Sequence, residues 1–180
     1  MRFIDRLVRR VRAERGMTII ELLVSASICA VGIAATIGVM DQSRQTSVKA
    51  EQRDAMAHQA ERELERLMAL PWLNFQHSAL PVSSASPAGN PSTYISGASY
   101  KYDRKDASAS EPLVYSTANG QVEPSYTAWN DNQSRLSGRV YRYITRIDAN
   151  SRRVTVVVTA DGAKAPTPLL LSSIKTKPIL

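Results

Sequence analysis

The sequence predicts an α+β protein in which a long N-terminal helix packs on a small antiparallel β-sheet. Residues 17–40 are almost entirely apolar, and residues 41–70 are polar but keep an apolar side chain every three or four positions as far as Pro71. After residue 93 the pattern changes to short runs rich in β-branched and aromatic residues, which is typical of strands. The helical and strand-like patterns are therefore separate along the chain.

Charge is distributed very unevenly along the 180 residues. The formal net charge of +7 and the pI of 9.8 would by themselves favour a nucleic acid partner. However, residues 1–16 carry six arginines against two acids, directly before the apolar run. The positive-inside rule places such a segment in the cytoplasm, so the basic pI is mostly a signal of membrane topology.

The 24-residue run 17–40 predicts a membrane-spanning helix segment. As a helix it would be about 36 Å long, enough to cross a bilayer core of about 30 Å with some tilt. Gly32 and Gly38, with nearby alanines, form a small-residue stripe that permits close packing against another helix. Cys29 is the only cysteine; it is interpreted as an apolar filler, and it excludes an intrachain disulfide.

The periodic residues 41–70 predict that the same helix continues, so that it would run from about residue 17 to residue 70. Pro71 would end it, and the proline- and serine-rich segment 71–93 is interpreted as an irregular loop. The predicted apolar stripe consists of Val48, Met56, Ala60, Leu64, Leu67 and Leu70.

Residues 71–180 are predicted to form a β-rich head domain. The alternating side chains of 139–148 favour an antiparallel sheet with one solvent-exposed face, and 148–152 is predicted to be a hairpin loop. Because this head is small, we expect the helix to supply part of its core. The predicted strands are 93–102, 113–117, 139–148, 153–159 and 169–176.

The junction between the basic and apolar segments carries the most informative pattern. Gly16 stands at the junction, and Glu21 is a lone acid one turn into an otherwise apolar helix. A carboxylate near hydrocarbon is costly and needs a partner. Cleavage after Gly16 would create an α-amine on Met17, and in a bundle of such helices this amine could neutralise the glutamate of a neighbour. The pairing would set the axial register of the helices.

Residues 14–28, ERGMTIIELLVSASI, resemble the class III signal of type IV prepilins and type II secretion pseudopilins. The matching residues are Gly16, Met17, Thr18, Glu21, Leu22, Leu23 and Val24. The resemblance implies cleavage between Gly16 and Met17 by prepilin peptidase, N-methylation of Met17, and assembly involving Thr18 and Glu21. It also implies a pilin-like fold, with other pilin or pseudopilin subunits and an inner-membrane assembly platform as partners, and no cofactor.

The same resemblance implies four regions. Residues 1–16 would be a leader removed on maturation, 17–40 the membrane and filament-core half of the helix, 41–70 its amphipathic half and 71–180 the exported head. The protein would first lie in the cytoplasmic membrane with a single span, in contact with the lipid bilayer. It would then enter a pilus or pseudopilus at the cell surface or in the periplasm.

Three features favour a minor pilin or pseudopilin over a main shaft subunit. The helix lacks the proline that major pilins often carry, since no proline precedes Pro71. The single cysteine excludes the C-terminal disulfide that many major pilins have, which leaves a major pilin from a lineage without this disulfide as an alternative. The string ERELERLMALPW at 61–72 also resembles minor pilins.

Two alternative functions are also consistent with parts of this pattern. Residues 1–40 could be an ordinary signal anchor or secretory signal, or the protein could be a pilin that takes up DNA or adheres to surfaces. The late arginines that could bind DNA are interpreted instead as a solvated sheet face, and the aromatic residues that could form an adhesive surface as a small core. These arginines are Arg135, Arg139, Arg142, Arg146, Arg152 and Arg153. The aromatic residues are Tyr94, Tyr100, Tyr102, Tyr115, Tyr126 and Trp129.

The sequence does not favour an enzyme. It has no serine with a paired histidine and aspartate, and no glycine-rich phosphate loop. His58 and His77 have no second ligand at metal-binding spacing, so both are interpreted as surface or packing residues and no metal is expected.

Overall fold

The computed structural model describes residues 18–83, 90–101, 109–162 and 165–178. The chain divides into two compact units, Met1–Val48 and Lys49–Leu180. The elements in the described ranges are α1 (Ile19–Met68), β1 (Ile95–Ser96), β2 (Ser99–Lys101), β3 (Ser110–Pro112), β4 (Thr127–Asp131), β5 (Leu136–Arg146), β6 (Ser151–Ala160) and β7 (Leu169–Thr176). A long helix with antiparallel sheets confirms the predicted α+β class.

Helix α1 is the predicted long helix with slightly different ends. It begins at Ile19 rather than residue 17, which lies outside the described ranges, and ends at Met68. The final turn tightens, because the Leu70 amide bonds to the Leu67 carbonyl at 3.1 Å, three residues back. Pro71 has no amide hydrogen and disfavours helical geometry at the residue before it, so the helix does not continue.

The larger sheet is an antiparallel meander in the order β4-β5-β6-β7. Strand β7 has the predicted bounds, β6 contains the predicted 153–159, and β5 starts three residues before and ends two residues before the predicted 139–148. The hairpin loop between β5 and β6 is therefore 147–150. Strand β4, at one edge, was not predicted.

A second, three-stranded sheet has the order β1-β2-β3 and differs from the predictions. The predicted strand 93–102 is a tight hairpin, because the chain reverses at Gly97, whose φ of 56° favours glycine. The predicted strand 113–117 is wrong: β3 precedes it, and its residues make only isolated bridges.

One face of the larger sheet packs on the second half of α1. On this helix Met56, Ala60 and Leu67 are fully buried, at the spacing of one helical face. Leu64 and Leu70 pack at the margin of the cluster, whereas Val48 is 51% exposed and was wrongly placed in the stripe. The sheet residues in this cluster include Val140, Ile144, Val154, Val156 and Val158.

The other face of the larger sheet is covered by the smaller sheet. Tyr141 and Tyr143 of β5 are buried there with Val157 of β6, and the Tyr143 ring stacks on Tyr100 of β2 at 4.6 Å. Burial raises the pKa of Tyr143, with further contributions from neighbouring tyrosines. The predicted solvent-exposed face is therefore wrong over the centre of β5. The described aromatic residues mainly form a core, although Tyr115 is half exposed.

A buried ion pair joins α1 to this sheet. Glu63 occupies a core-facing position of the helix, and its carboxylate accepts hydrogen bonds from Arg142 of β5 and from Arg66, at 2.6 Å for the Arg66 Nη2. Burial alone would raise the pKa of Glu63, but the hydrogen bonds and charges of Arg66 and Arg142 outweigh it and lower that pKa. Arg142 is only 5% exposed, so its assignment to a solvated sheet face is wrong.

Two cations from the sheet bind the chain where α1 ends. The ammonium group of Lys175 donates to the carbonyls of Met68 and Leu70, and Arg152 donates to those of Trp72, at 3.0 Å, and Phe75, at 2.7 Å. The bond from Lys175 to Met68 satisfies a carbonyl that the helix end leaves without a partner, and the charge of Lys175 is favourable at the negative end of the helix dipole. The bonds from Arg152 hold the segment that follows the helix.

Of the two histidines, one lies on the surface and the other packs in the core. His58 is exposed on α1, with Nδ1 3.8 Å from the Glu61 carboxylate. His77 is fully buried, and its Nε2 accepts a hydrogen bond from the Ile144 amide at 3.0 Å, which requires a ring without a proton on that nitrogen. Burial lowers the pKa of His77 to about 4, although backbone groups of Glu123 and Val122 partly oppose the shift.

Candidate assembly segment

The described part of the first unit begins with a capped helix N-terminus. The Thr18 hydroxyl accepts a hydrogen bond from the Glu21 amide at 3.2 Å, and the Thr18 carbonyl accepts one from the Leu22 amide at 3.0 Å. Thr18 is thus the N-cap of α1, and Glu21 stands three residues later, at the position of the acid in a capping box. The cap removes one of the unsatisfied amides of the first turn.

Glu21 is exposed in this first turn, next to Ile19, Ile20, Leu22 and Leu23, which are 57% to 79% exposed. Its negative charge is favourable at the helix N-terminus, so it stabilises the helix start even in an isolated chain. Among the described residues no ion pair is recorded for it, and it is the only charged residue between positions 18 and 40. The carboxylate therefore remains available to a partner outside the chain.

From residue 19 to residue 40, α1 presents an apolar surface with Glu21 as its one charged side chain. Every residue from 18 to 48 is exposed, including Ile28, Val31 and Ile33, whose exposed fractions are 58% to 70%. The most apolar 18-residue stretch has a mean hydropathy of 2.2, and none of it is buried within the protein. By length and composition this helix can cross a membrane. A surface of this size indicates lipid or other helices as its natural surroundings.

Two hydroxyl groups along the apolar surface donate hydrogen bonds within the helix. The Ser27 hydroxyl donates to the Leu23 carbonyl and the Thr36 hydroxyl to the Gly32 carbonyl, each at 2.8 Å. These local bonds let hydroxyl groups enter an apolar environment at low cost. Cys29 is a free, exposed thiol on the same surface.

Gly32 and Gly38 lie on this helix with open space around them. A Cβ at either position would meet no atom within 4 Å. Nothing inside the chain therefore requires glycine there, and the proposed role in helix packing stays a prediction.

The structure describes the predicted assembly residues but not the predicted processing residues. Gly16 and Met17 lie outside the described ranges, while Thr18 and Glu21 lie together in the first turn of α1. Sequence reasoning assigned Thr18 to assembly and missed its capping role, although the T-x-x-E spacing at 18–21 is a sequence signal for such a cap.

Comparison with known proteins identifies the segment. Residues 11–37 match the family model described as the prokaryotic N-terminal methylation motif. The chain carries a prepilin-type methylation motif. The motif and the long apolar helix together support a type IV pilin-like or pseudopilin subunit, a structural type of protein that is anchored in the membrane, processed by prepilin peptidase and assembled with other pilins. Neither the curated proteins nor the solved structures contain a significant match to the chain.

Proposed function

We propose that this chain is the precursor of a minor pilin or pseudopilin. Prepilin peptidase cuts it between Gly16 and Met17, and Met17 is then N-methylated. The exported head, residues 71–180 with the amphipathic part of α1, is carried into a type IV pilus or type II secretion filament by the apolar half of the helix.

The observation that carries this proposal is the position of Glu21. It is a lone exposed acid, in the first turn of an apolar helix, inside the methylation motif. Thr18 already caps the helix, so helix formation alone does not require a charge at this depth. A methylated α-amine remains a cation at neutral pH. The Met17 amine of one subunit would neutralise Glu21 of its neighbour and fix the axial register of helices that otherwise slide.

The helix surface supports close packing of subunits. Gly32 and Gly38 leave open space where a neighbouring helix can approach the backbone. Cys29 adds a small apolar side chain to the same segment. In the filament these residues would contact other pilins, and before assembly they would contact lipid.

The proposal is tested by removing the Glu21 carboxylate. Glu21→Ala should still be cleaved but should enter filaments at least about tenfold less than the wild type, because the partner amine then lies unpaired in an apolar core. Incorporation is measured by immunoblot of sheared filaments from cells that supply the assembly machinery. The matched control is Asp41→Ala, which removes an exposed acid farther along the same helix. Wild-type incorporation of Glu21→Ala would contradict the register argument.

An ordinary signal anchor predicts a different outcome at the junction. Gly16→Glu should leave a full-length precursor in the membrane if prepilin peptidase processes the chain. A signal anchor without this processing would give the same mass for the wild type and for Gly16→Glu, apart from the substitution itself.

A further inference from the structure

We propose that the second unit of one copy binds the second unit of another copy head to tail, with Arg146 entering an acidic cleft beside Trp129. This contact goes beyond the proposed role of α1, because it involves only residues of Lys49–Leu180. It rests on charge complementarity between the two ends of this unit.

The basic end is a row of cations across three strands. Arg146 of β5 stands opposite Arg152 of β6, and Arg152 stands opposite Lys175 of β7. Like charges at directly opposite positions destabilise a sheet. Arg152 and Lys175 are each engaged by backbone carbonyls at the end of α1. Burial and then the charge of Arg146 lower the pKa of Arg152.

Arg146 is the member of the row without such a role. It is exposed at the last position of β5, and no ion pair or hydrogen bond from its side chain is recorded within the described residues. The repulsion between Arg146 and Arg152 is therefore not offset by any recorded ion pair or hydrogen bond of Arg146 within the described residues. An acidic partner from outside would offset that cost.

The acidic end is a cleft of about 440 Å³ between α1 and the turn after β4. Three carboxylates line it, with Arg62 as the one arginine or lysine in its lining. Ser134 and the Gln133 amide hydrogen bond to Asp131 and lower its pKa, so this carboxylate stays ionised. Trp129 forms part of the wall. Carboxylates beside an indole suit a guanidinium group, through charge-assisted hydrogen bonds and cation–π contact. The three carboxylates are those of Glu51, Asp54 and Asp131.

The two ends lie apart along the same helix. Asp54 lines the cleft, and Met68, at the C-terminal end of α1, accepts a bond from the basic row. Met68 is 14 residues after Asp54, which corresponds to about 21 Å of helix. A contact that joins different patches on two copies builds a ring if its rotation closes and an open array if it does not.

Directed disulfide formation tests the contact on full-length chains in detergent. Two differently tagged chains, both carrying Cys29→Ser, are mixed: one has Ile147→Cys, next to Arg146, and the other has His58→Cys in the lining of the cleft, so that Arg146 and the three carboxylates are kept. We expect at least about tenfold more heterodimer after mild oxidation than with Thr117→Cys, an exposed control position, in place of His58→Cys. Equal yields for the two pairs would overturn the proposal.

A charge exchange tests the same contact without cysteines. Arg146→Glu and Asp54→Arg should each reduce cross-linking between the second units of two copies by a lysine-reactive reagent about tenfold, and the double variant should restore it. Arg146→Glu faces Arg152, so it should not harm folding. Failure of the double variant to restore cross-linking would overturn the proposal. So would loss of double-stranded DNA retention by Arg146→Glu without any effect on cross-linking, since the partner would then be a nucleic acid.

The two proposals fail separately. If the head contact is wrong, the cysteine pair gives only background cross-linking while Glu21→Ala still prevents incorporation. If the register pairing is wrong, Glu21→Ala assembles normally while the cysteine pair still cross-links.

Discussion

The two units of this chain differ in whether their apolar residues are buried or exposed. In Lys49–Leu180, apolar side chains are buried on both faces of the four-stranded sheet, and even Glu63 and Arg142 find partners inside. In the described part of Met1–Val48, every side chain is exposed, and Glu21 has no ion-pair partner among the described residues. The second unit therefore buries its own apolar core, whereas the first requires lipid or other subunits.

This difference separates the effects that substitutions should have. Changes in the core of the second unit should alter its free energy of unfolding, and changes in the first unit should alter assembly. Trp72 and Trp129 both lie in the second unit. Tryptophan fluorescence of the full chain in detergent therefore reports on that unit alone.

The largest expected effect comes from breaking the buried ion pair. Arg142→Met leaves Glu63 buried beside only the half-exposed Arg66, and should lower the free energy of unfolding by about 3–5 kcal/mol. Urea titration followed by tryptophan fluorescence measures the change. Glu63→Leu combined with Arg142→Met should recover most of the loss, because an apolar pair needs no desolvated charge. A loss as large in the double variant would mean that packing, rather than charge, holds the helix to the sheet.

The next effect is a pH dependence from His77. Its pKa is lowered to about 4 in the folded chain against an ordinary value near 6.5. The folded state then binds fewer protons than the unfolded state, so stability is fully present above pH 6.5 and falls by about 3 kcal/mol as the pH drops to 4. The lowered pKa of Glu63 adds a loss only below its ordinary value of 4.5.

His77→Gln isolates this dependence, since glutamine can keep an acceptor for the Ile144 amide without titrating. The slope of stability against pH between 6.5 and 4.5 should nearly vanish in this variant, and it should be unchanged in His58→Gln. An unchanged slope in His77→Gln would contradict a buried neutral imidazole.

The smallest expected effect is at the end of α1. Lys175→Met removes the donor to the Met68 and Leu70 carbonyls and should cost about 1–2 kcal/mol. Lys177→Met, two residues along and exposed, is the matched control and should change stability by less than about 0.5 kcal/mol. Equal effects in the same urea titration would show that Lys175 does not cap the helix.

The sequence predicted the elements whose signals are local. The apolar run and the three-to-four spacing predicted α1 almost to its ends, and the β-branched run of β6 and the bounds of β7 were also found. Strand β4 was missed because Ala128 and Asn130 have low strand propensity, and its pairing with β5 is what makes it a strand.

Long-range packing was the part that local patterns could not supply. Tyr141 and Tyr143 alternate with other residues as a half-exposed strand would, but the separate sheet of β1, β2 and β3 covers them. Arg142 looked like a surface arginine because its partner, Glu63, is 79 residues away in sequence. In the first unit, by contrast, the cap formed by Thr18 was missed although its signal is local, the T-x-x-E spacing of residues 18–21.

The central claim is that a cut after Gly16 turns the exposed helix into an assembly segment. The most direct test is the intact mass and N-terminal sequence of the chain, purified from membranes of cells that contain prepilin peptidase. The account predicts a mature chain that lacks residues 1–16 and begins with N-methylmethionine at position 17. A chain that retains residue 1, or that begins at any other position, would contradict it.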